Sequence, residues 1–289
     1  MSTDLPRKPR VGHIRFLNCL PLLWGLSRTA GLLDLDLSCD TPERLGNALV
    51  AGELDLGPIS LVEYLRHADE LVVLPDLAVG SDGPVLSCLI VSKVPLDRLE
   101  GEVVSLCTTS RTSTRLARLI LAERVGVNPV YRDRAPELAT MLDQASAAVI
   151  IGDPALRATV EASRTTGLAV HDLGQLWREW TGLPFVFALF AVRRDYLRRH
   201  PERVRQVHAA LLAARDLGLA EVDRVCEHAA QWGPFDEPIL KRYFTEALDY
   251  GFGDRQLRGV AEFARRVAKA DGGFPTGIRL ETLHTTEQF

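Results

Sequence analysis

The residues best placed to do chemistry are polar side chains standing where an apolar run gives way to a helix start. In Arg10-Val-Gly-His-Ile-Arg-Phe-Leu-Asn-Cys-Leu-Pro21 a short apolar strand ends, Arg15 and Asn18 follow, and Pro21 opens a helix. Proline at a first helical position leaves no N–H to satisfy, and the free N–H groups after it point back at whatever precedes the helix. Strand ends and helix starts converge on crevices in α/β proteins, and small molecules bind there. Asn18 is a candidate catalytic residue, its side-chain amide able to hydrogen-bond a ligand. The alternative is a plain N-cap for the Pro21 helix.

A second constellation is Thr108-Thr-Ser-Arg-Thr-Ser113, a hydroxyl-rich loop that follows a strand and opens a helix. Its hydroxyls and free backbone N–H groups make an anion site, to which the helix dipole adds about 0.3–1 kcal/mol. It lacks the Gly-x-x-x-x-Gly-Lys of a nucleotide loop, so a carboxylate suits it better than a triphosphate. Ser110, Thr112 and Ser113 are the expected binders, the competing reading being a Ser/Thr capping cluster. Arg111 and Arg15 could each pair with a carboxylate, although a loop arginine commonly points to water. Ser60 follows the third strand, Ser87 lies in an apolar run after the Gly80–Pro84 turn, and Asp153 stands at a helix start; all three are candidate ligands or caps. His13 is a base by type, yet its apolar neighbours place it within a strand. Cys19 and Cys107 have no neighbour that would lower a thiol pKa. Trp177 and Trp180 read as packing residues of the second lobe.

The elements that position these groups alternate. Apolar strands are expected near residues 11–14, 33–38, 54–59 and 71–74, with capped helices between them, which predicts a parallel α/β sheet. A second α/β set runs over residues 93–192, and from Arg193 to Asp271 the pattern is helical. With no flexible linker between the sets, an interleaved arrangement follows: residues 1–92 plus 193–289 form one lobe and 93–192 the other. The apolar strands Val85–Ser92 and Leu183–Val192 are expected to cross between lobes, making a hinge and a closing cleft.

Bulk properties exclude several functions. The 289 residues carry a net charge of −4 with both signs interspersed, so no basic field exists to hold nucleic acid or an anionic membrane. The N-terminus is charged without an apolar segment behind it, unlike a secretory signal. The apolar run from Phe185 to Val192 is far short of a membrane span. Five scattered cysteines without a Cys-x-x-Cys read as reduced thiols of a cytoplasmic protein. Neither they nor the seven histidines show metal-ligand spacing, so no metal is expected.

Five motifs in order resemble the chorismate dehydratase family of the futalosine route to menaquinone: Gly12–Pro21, Ser81-Asp-Gly-Pro84, Ser110-Arg-Thr-Ser113, Gly152-Asp153 and Trp180-Thr-Gly-Leu-Pro-Phe-Val-Phe-Ala188. The resemblance runs from about residue 10 to about residue 265. It implies a two-lobed type II periplasmic-binding-protein fold with a central cleft. It also implies removal of water from chorismate, a dianion, to give 3-[(1-carboxyvinyl)oxy]benzoate, with neither metal nor organic cofactor. Position 15, often a small polar residue in that family, is Arg15 here. The resemblance strengthens the catalytic reading of Asn18 over the cap. No strong base emerges among the candidates, which suggests that the substrate's own enolpyruvyl carboxylate takes the ring proton. Two rivals are a 1,4-dihydroxy-6-naphthoate synthase-like enzyme of the same fold, disfavoured by Leu17-Asn-Cys-Leu-Pro21, and a non-catalytic cytoplasmic protein that binds small anions.

Overall fold

Short runs rich in Val, Ile and Leu form the strands, because such side chains fit a pleated surface that is buried on both faces. The computed structural model describes residues 7–29, 31–162, 167–270, 279–281 and 286–288. Its first half contains β1 (Arg10–Ile14), α1 (Leu20–Arg28), β2 (Asp36–Asp40), α2 (Pro42–Ala51), β3 (Leu56–Ser60), α3 (Leu61–Arg66) and β4 (Leu71–Ser81). There follow β5 (Cys88–Ser92), β6 (Val103–Cys107), α4 (Thr112–Leu119), β7 (Val130–Arg134), α5 (Leu138–Asp143) and β8 (Ala147–Ile151). The chain goes on through α6 (Gly152–Ala162), β9 (Ala169–Asp172), α7 (Leu173–Thr181) and β10 (Phe185–Arg193). Helices α8 (Arg194–Arg199), α9 (Pro201–Ala220), α10 (Val222–Trp232), α11 (Glu237–Arg242) and α12 (Asp254–Ala270) come next. A short hairpin, β11 (Arg279–Glu281) with β12 (Thr286–Gln288), comes last.

Two five-stranded sheets result, ordered β2-β1-β3-β10-β4 and β7-β6-β8-β5-β9. β1 runs parallel to β2 and β3, and β6 parallel to β7 and β8, as the alternation of strand and helix predicts. The exceptions are β10 and β5, each antiparallel to both of its neighbours. Each is the strand that has just arrived from the other lobe and enters its new sheet in the reverse direction.

The chain therefore changes lobes at residues 82–87 and 182–184, before the two apolar strands rather than along them. Cys88–Ser92 pairs only in the second sheet and Phe185–Arg193 only in the first, so boundaries drawn at 92 and 193 lie one strand late. An apolar run has the same composition whichever sheet it enters, and only pairing decides its lobe. β4 also extends beyond residues 71–74 to Ser81, through an irregularity at which Asp76 takes φ 59°. Its continuation pairs with the stretch before α12, where the Ala78 N–H donates to the Tyr250 carbonyl (3.0 Å) and the Gly80 N–H to that of Asp249 (2.8 Å).

Both passages between the sheets are pinned. The carboxylate of Asp172 accepts the N–H groups of Val85 (3.0 Å) and Leu86 (2.7 Å), and it also caps α7 through the Gln175 N–H (3.1 Å). Burial pushes its pKa up, against the pull of those N–H groups. Leu86, held at φ 63°, could not keep that left-handed conformation cheaply without them. At the return passage the buried Trp177 indole donates to the Pro184 carbonyl (3.2 Å) and packs edge-on against Phe185 and Phe263 of the first lobe. Asp172→Ala removes the acceptor of three N–H groups at once and should cost about 2 kcal/mol or more. The check is a fall in the urea midpoint at unchanged m-value.

Candidate active site

β1 delivers its C-terminal end to a 3-10 turn, Leu17–Cys19, which carries Asn18 into α1. The start of α1 is fixed by backbone contact with α9. A methyl group on Gly218 would lie 1.9 Å from the Pro21 carbonyl oxygen, and one on Gly25 would lie 1.8 Å from that of Ala214. Only glycine permits such an approach. The Tyr250 hydroxyl donates to the Asn18 carbonyl (2.9 Å) and secures the turn from the first lobe. Asn18 is not the cap of α1: Cys19 occupies that position, and no side chain bonds to the helix N–H groups there. The Asn18 side-chain oxygen is instead buried with no hydrogen-bond partner.

Asn18 looks into a cleft between the lobes. From the first lobe Ile14, Phe16, Pro42, Glu43, Ser60 and Phe187 join it; Ser87, Cys88, Gly152 and the whole of Thr109–Ser113 face it from the other side. The cavity between them is about 50 Å³, whereas small-molecule sites ordinarily run to several hundred. The lobes as they stand are shut, and a ring-sized ligand enters only if they part.

The hydroxyls of this cleft share a pattern. Ser60 Oγ accepts from the Glu63 N–H (3.4 Å), Ser110 Oγ from the Ser113 N–H (3.1 Å), and Thr112 Oγ1 from the Val62 N–H across the lobes (3.0 Å). Each oxygen has a backbone donor and keeps its own proton to give. Ser87 Oγ accepts from the Tyr243 hydroxyl (2.8 Å) and contacts the Val85 carbonyl (3.4 Å). The Thr109 hydroxyl, like the Asn18 amide oxygen, is buried without a partner. A cleft lined by hydroxyl protons suits a ligand rich in acceptors, and the lone Asn18 oxygen asks that ligand for one donor.

Charge at the cleft is arranged by Arg111. Its guanidinium reaches across the lobes to Glu63, to Asn47 Oδ1 (2.9 Å) and toward Glu43 (3.6 Å), so its partners are the protein's own groups. Outside it lies a polar cavity of about 560 Å³ bordered by Arg66, Arg115 and Arg118 together with Glu43 and Asp133. Arg15, at the end of β1, is exposed and stands outside the cleft wall. Asp153 also lies outside it, its Oδ1 accepting from the Leu17 N–H (3.0 Å). His13 is buried within β1, and burial lowers its pKa to about 4. Burial raises Cys19 to about 12 and Cys107 to about 11. Among the described residues no group of three or more His, Cys, Asp or Glu side chains could hold a metal ion.

Known proteins carry the same pattern. A family model described as menaquinone biosynthesis matches residues 9–269. The chain belongs to that family. A chorismate dehydratase of Thermus thermophilus is 34% identical over 236 residues, covering 77% of this chain and 83% of the relative. A 1,4-dihydroxy-6-naphtoate synthase of the same organism is 29% identical over 234 residues, covering 78% and 81%. Among solved structures, the alkanesulfonate-binding protein SsuA of Xanthomonas axonopodis pv. citri superposes with a TM-score of 0.67 at 17% identity, over 93% of this chain and 95% of that one. The fold of this family member is thus the two-lobed periplasmic-binding-protein fold that its motifs predict.

Asn18, Ser60, Ser87, Ser110, Arg111, Thr112 and Ser113 come together at the cleft from separate stretches of the chain, whereas Arg15 and Asp153 stand outside its wall. Sequence reasoning passed over Thr109, Phe16, Cys88 and Glu43. Nothing in a run of hydroxyls tells which one lacks a partner, and an aromatic beside a strand end reads as core. Replacing a buried polar atom that has no partner by an apolar isostere removes a penalty. Thr109→Val should therefore leave the Tm of the ligand-free protein unchanged or higher while weakening ligand binding at least severalfold, as calorimetry and thermal melts would register.

Proposed function

We propose that the protein is a carbon–oxygen lyase that removes water from chorismate and yields 3-[(1-carboxyvinyl)oxy]benzoate. The observation that carries this reading is the buried, partnerless oxygen of Asn18, which shares the cleft of a menaquinone-biosynthesis family member with the equally partnerless Thr109 hydroxyl. Similarity to a chorismate dehydratase over most of both chains supports the choice of substrate.

Chorismate carries two carboxylates and one ring hydroxyl. The hydroxyl protons of Ser60, Ser110, Thr112 and Thr109 are suited to carboxylate oxygens, and the first turn of α4 adds its dipole. Ser113 and Ser87 stand behind them in the same wall, and Arg66, Arg115 and Arg118 give an arriving dianion a cationic approach. The ring hydroxyl is the one strong donor on the substrate, and Asn18 Oδ1 is the acceptor without a donor. In the elimination, the substrate's own enolpyruvyl carboxylate takes the proton from the ring carbon that bears the ether. The electron pair of that C–H bond becomes the new ring double bond, the bond from the adjacent carbon to its hydroxyl oxygen breaks, and the departing hydroxide takes the proton back from the carboxyl group and leaves as water. Aromaticity supplies the driving force, so the protein's task is to hold the ring and side chain in the reacting geometry and to keep bulk water out. Asn18 Oδ1, accepting from the ring hydroxyl, orients it for departure, and the NH2 of the same amide is the group able to donate to the charge that develops on the leaving oxygen.

Purified protein incubated with chorismate should form the aromatic carboxyvinyl ether, followed by chromatography and mass spectrometry. Asn18→Ala or Asn18→Leu should lower kcat by about 10²–10³-fold with chorismate binding largely kept. Near-normal turnover by either variant overturns the role given to Asn18, and binding of chorismate without product points to a binding protein.

A further inference from the structure

We infer that Gly152-Asp153 of the second lobe is a clamp that completes the Asn18 turn only when the lobes close, with Asp153 acting as a positioning residue. This rests on the catalytic reading of Asn18 given above. The 3-10 turn Leu17–Cys19 begins after Phe16, whose side chain makes no capping bond. Its first N–H, that of Leu17, finds its acceptor 136 residues away, at Asp153 Oδ1 (3.0 Å) in the first turn of α6. The turn is thus capped in trans, by the opposite lobe.

Gly152 makes that approach possible. It takes φ 69°, and a methyl group there would stand 3.1–3.2 Å from the Phe16 ring, so the ring lies directly on its backbone. The Gly152 N–H donates to the Ser87 carbonyl (2.8 Å), which ties the clamp to the passage between the lobes. On the other side, Tyr250 and the α1–α9 contact hold the Asn18 carbonyl and Pro21 to the first lobe whether the cleft is open or shut. Opening would leave the C-terminal side of the turn anchored and release its N-terminal side, taking Asn18 with it. Asp153 does not line the cleft; it borders a separate, largely apolar cavity of about 580 Å³ in the second lobe. Burial raises its pKa, while the Leu17 N–H and the charge of Arg15 act in the opposite sense.

A group that acts through Asn18 should alter kcat more than binding. Asp153→Ala is expected to lower kcat about 10–100-fold, the scale of a misplaced reacting group, with the chorismate Kd by calorimetry changed far less than kcat. Asp153→Asn, which keeps an acceptor oxygen for Leu17, should recover most of the loss. Leu17→Pro deletes the donor instead, at a first-turn position where Phe16 already has φ −77° and ψ 158°, a conformation that a following proline accepts; it should reproduce the Asp153→Ala defect. In an Asn18→Ala background Asp153→Ala should cost nothing more. A raised KM at unchanged kcat would make Asp153 a substrate ligand and overturn the clamp, as would an undiminished effect in the Asn18→Ala background. Hydrogen exchange of the Leu17 amide, read by NMR, needs no turnover: it should quicken in Asp153→Ala and not in Asp153→Asn. Unchanged protection in Asp153→Ala overturns the clamp even if Asn18 proves catalytic. Normal turnover by Asn18→Ala overturns the catalytic reading, and the Leu17 exchange rate still decides whether Asp153 holds the turn.

Discussion

The Asp172 carboxylate holds the two passages between the lobes in register. It accepts N–H groups from the outgoing passage, at Val85 and Leu86, and from α7, the helix that leads to the return passage. A carboxylate buried against N–H donors is strongly bound in place, because its alternative is an unsatisfied charge. Trp177 continues the same junction with an apolar contact between α7 and the first lobe. Trp177, Phe185 and Phe263 are all fully buried there. The opposite side is closed by polar contacts, Arg111 to Glu63 and Asn47 and Thr112 to Val62. These bonds, together with that of the Leu17 N–H to Asp153, must be exchanged for bonds to water if the lobes part there.

That asymmetry explains how one cleft can be both preorganised and accessible. The cap hydroxyls of Ser60, Ser110 and Thr112 sit at the first turns of short helices, and each is oriented by a backbone N–H before any ligand arrives. Groups fixed in advance need no reorganisation when charge moves in the substrate. Arg111, a tempting carboxylate partner by residue type, is matched with Glu63 and Glu43 of the facing lobe. Its charge therefore contributes to closing the cleft, beside the polar cavity bordered by Arg66, Arg115 and Arg118.

Much of the architecture was legible from local pattern. Apolar runs bounded by Pro and Gly marked the strands, and capping residues marked the helices: Thr41 caps α2 and Ser60 caps α3 through the bonds their positions suggest. His13 could be set aside because its neighbours are apolar, and it is indeed buried. Less legible were features that depend on who pairs with whom. Pro75 and Asp76 look like the end of a strand, yet β4 continues past them because Asp249 and Tyr250, far along the chain, supply an edge. Asp153 reads as an ordinary helix-start acid, and its partner is the Leu17 N–H of the other lobe.

By itself, then, the sequence determined the alternation of strand and helix, the two-lobed fold, and the stretches from which a cleft could be built, because these follow from side-chain periodicity and capping within a few residues. Only the tertiary structure decided that the apolar strands Cys88–Ser92 and Phe185–Arg193 belong each to one sheet. It alone decided which hydroxyls have backbone donors, and that Asn18 Oδ1 and Thr109 Oγ1 have no partner. The reason is that pairing and satisfaction are relations between atoms far apart in the chain. Residue type states what a group can bond to, and only the folded arrangement leaves it without a partner for a ligand to supply.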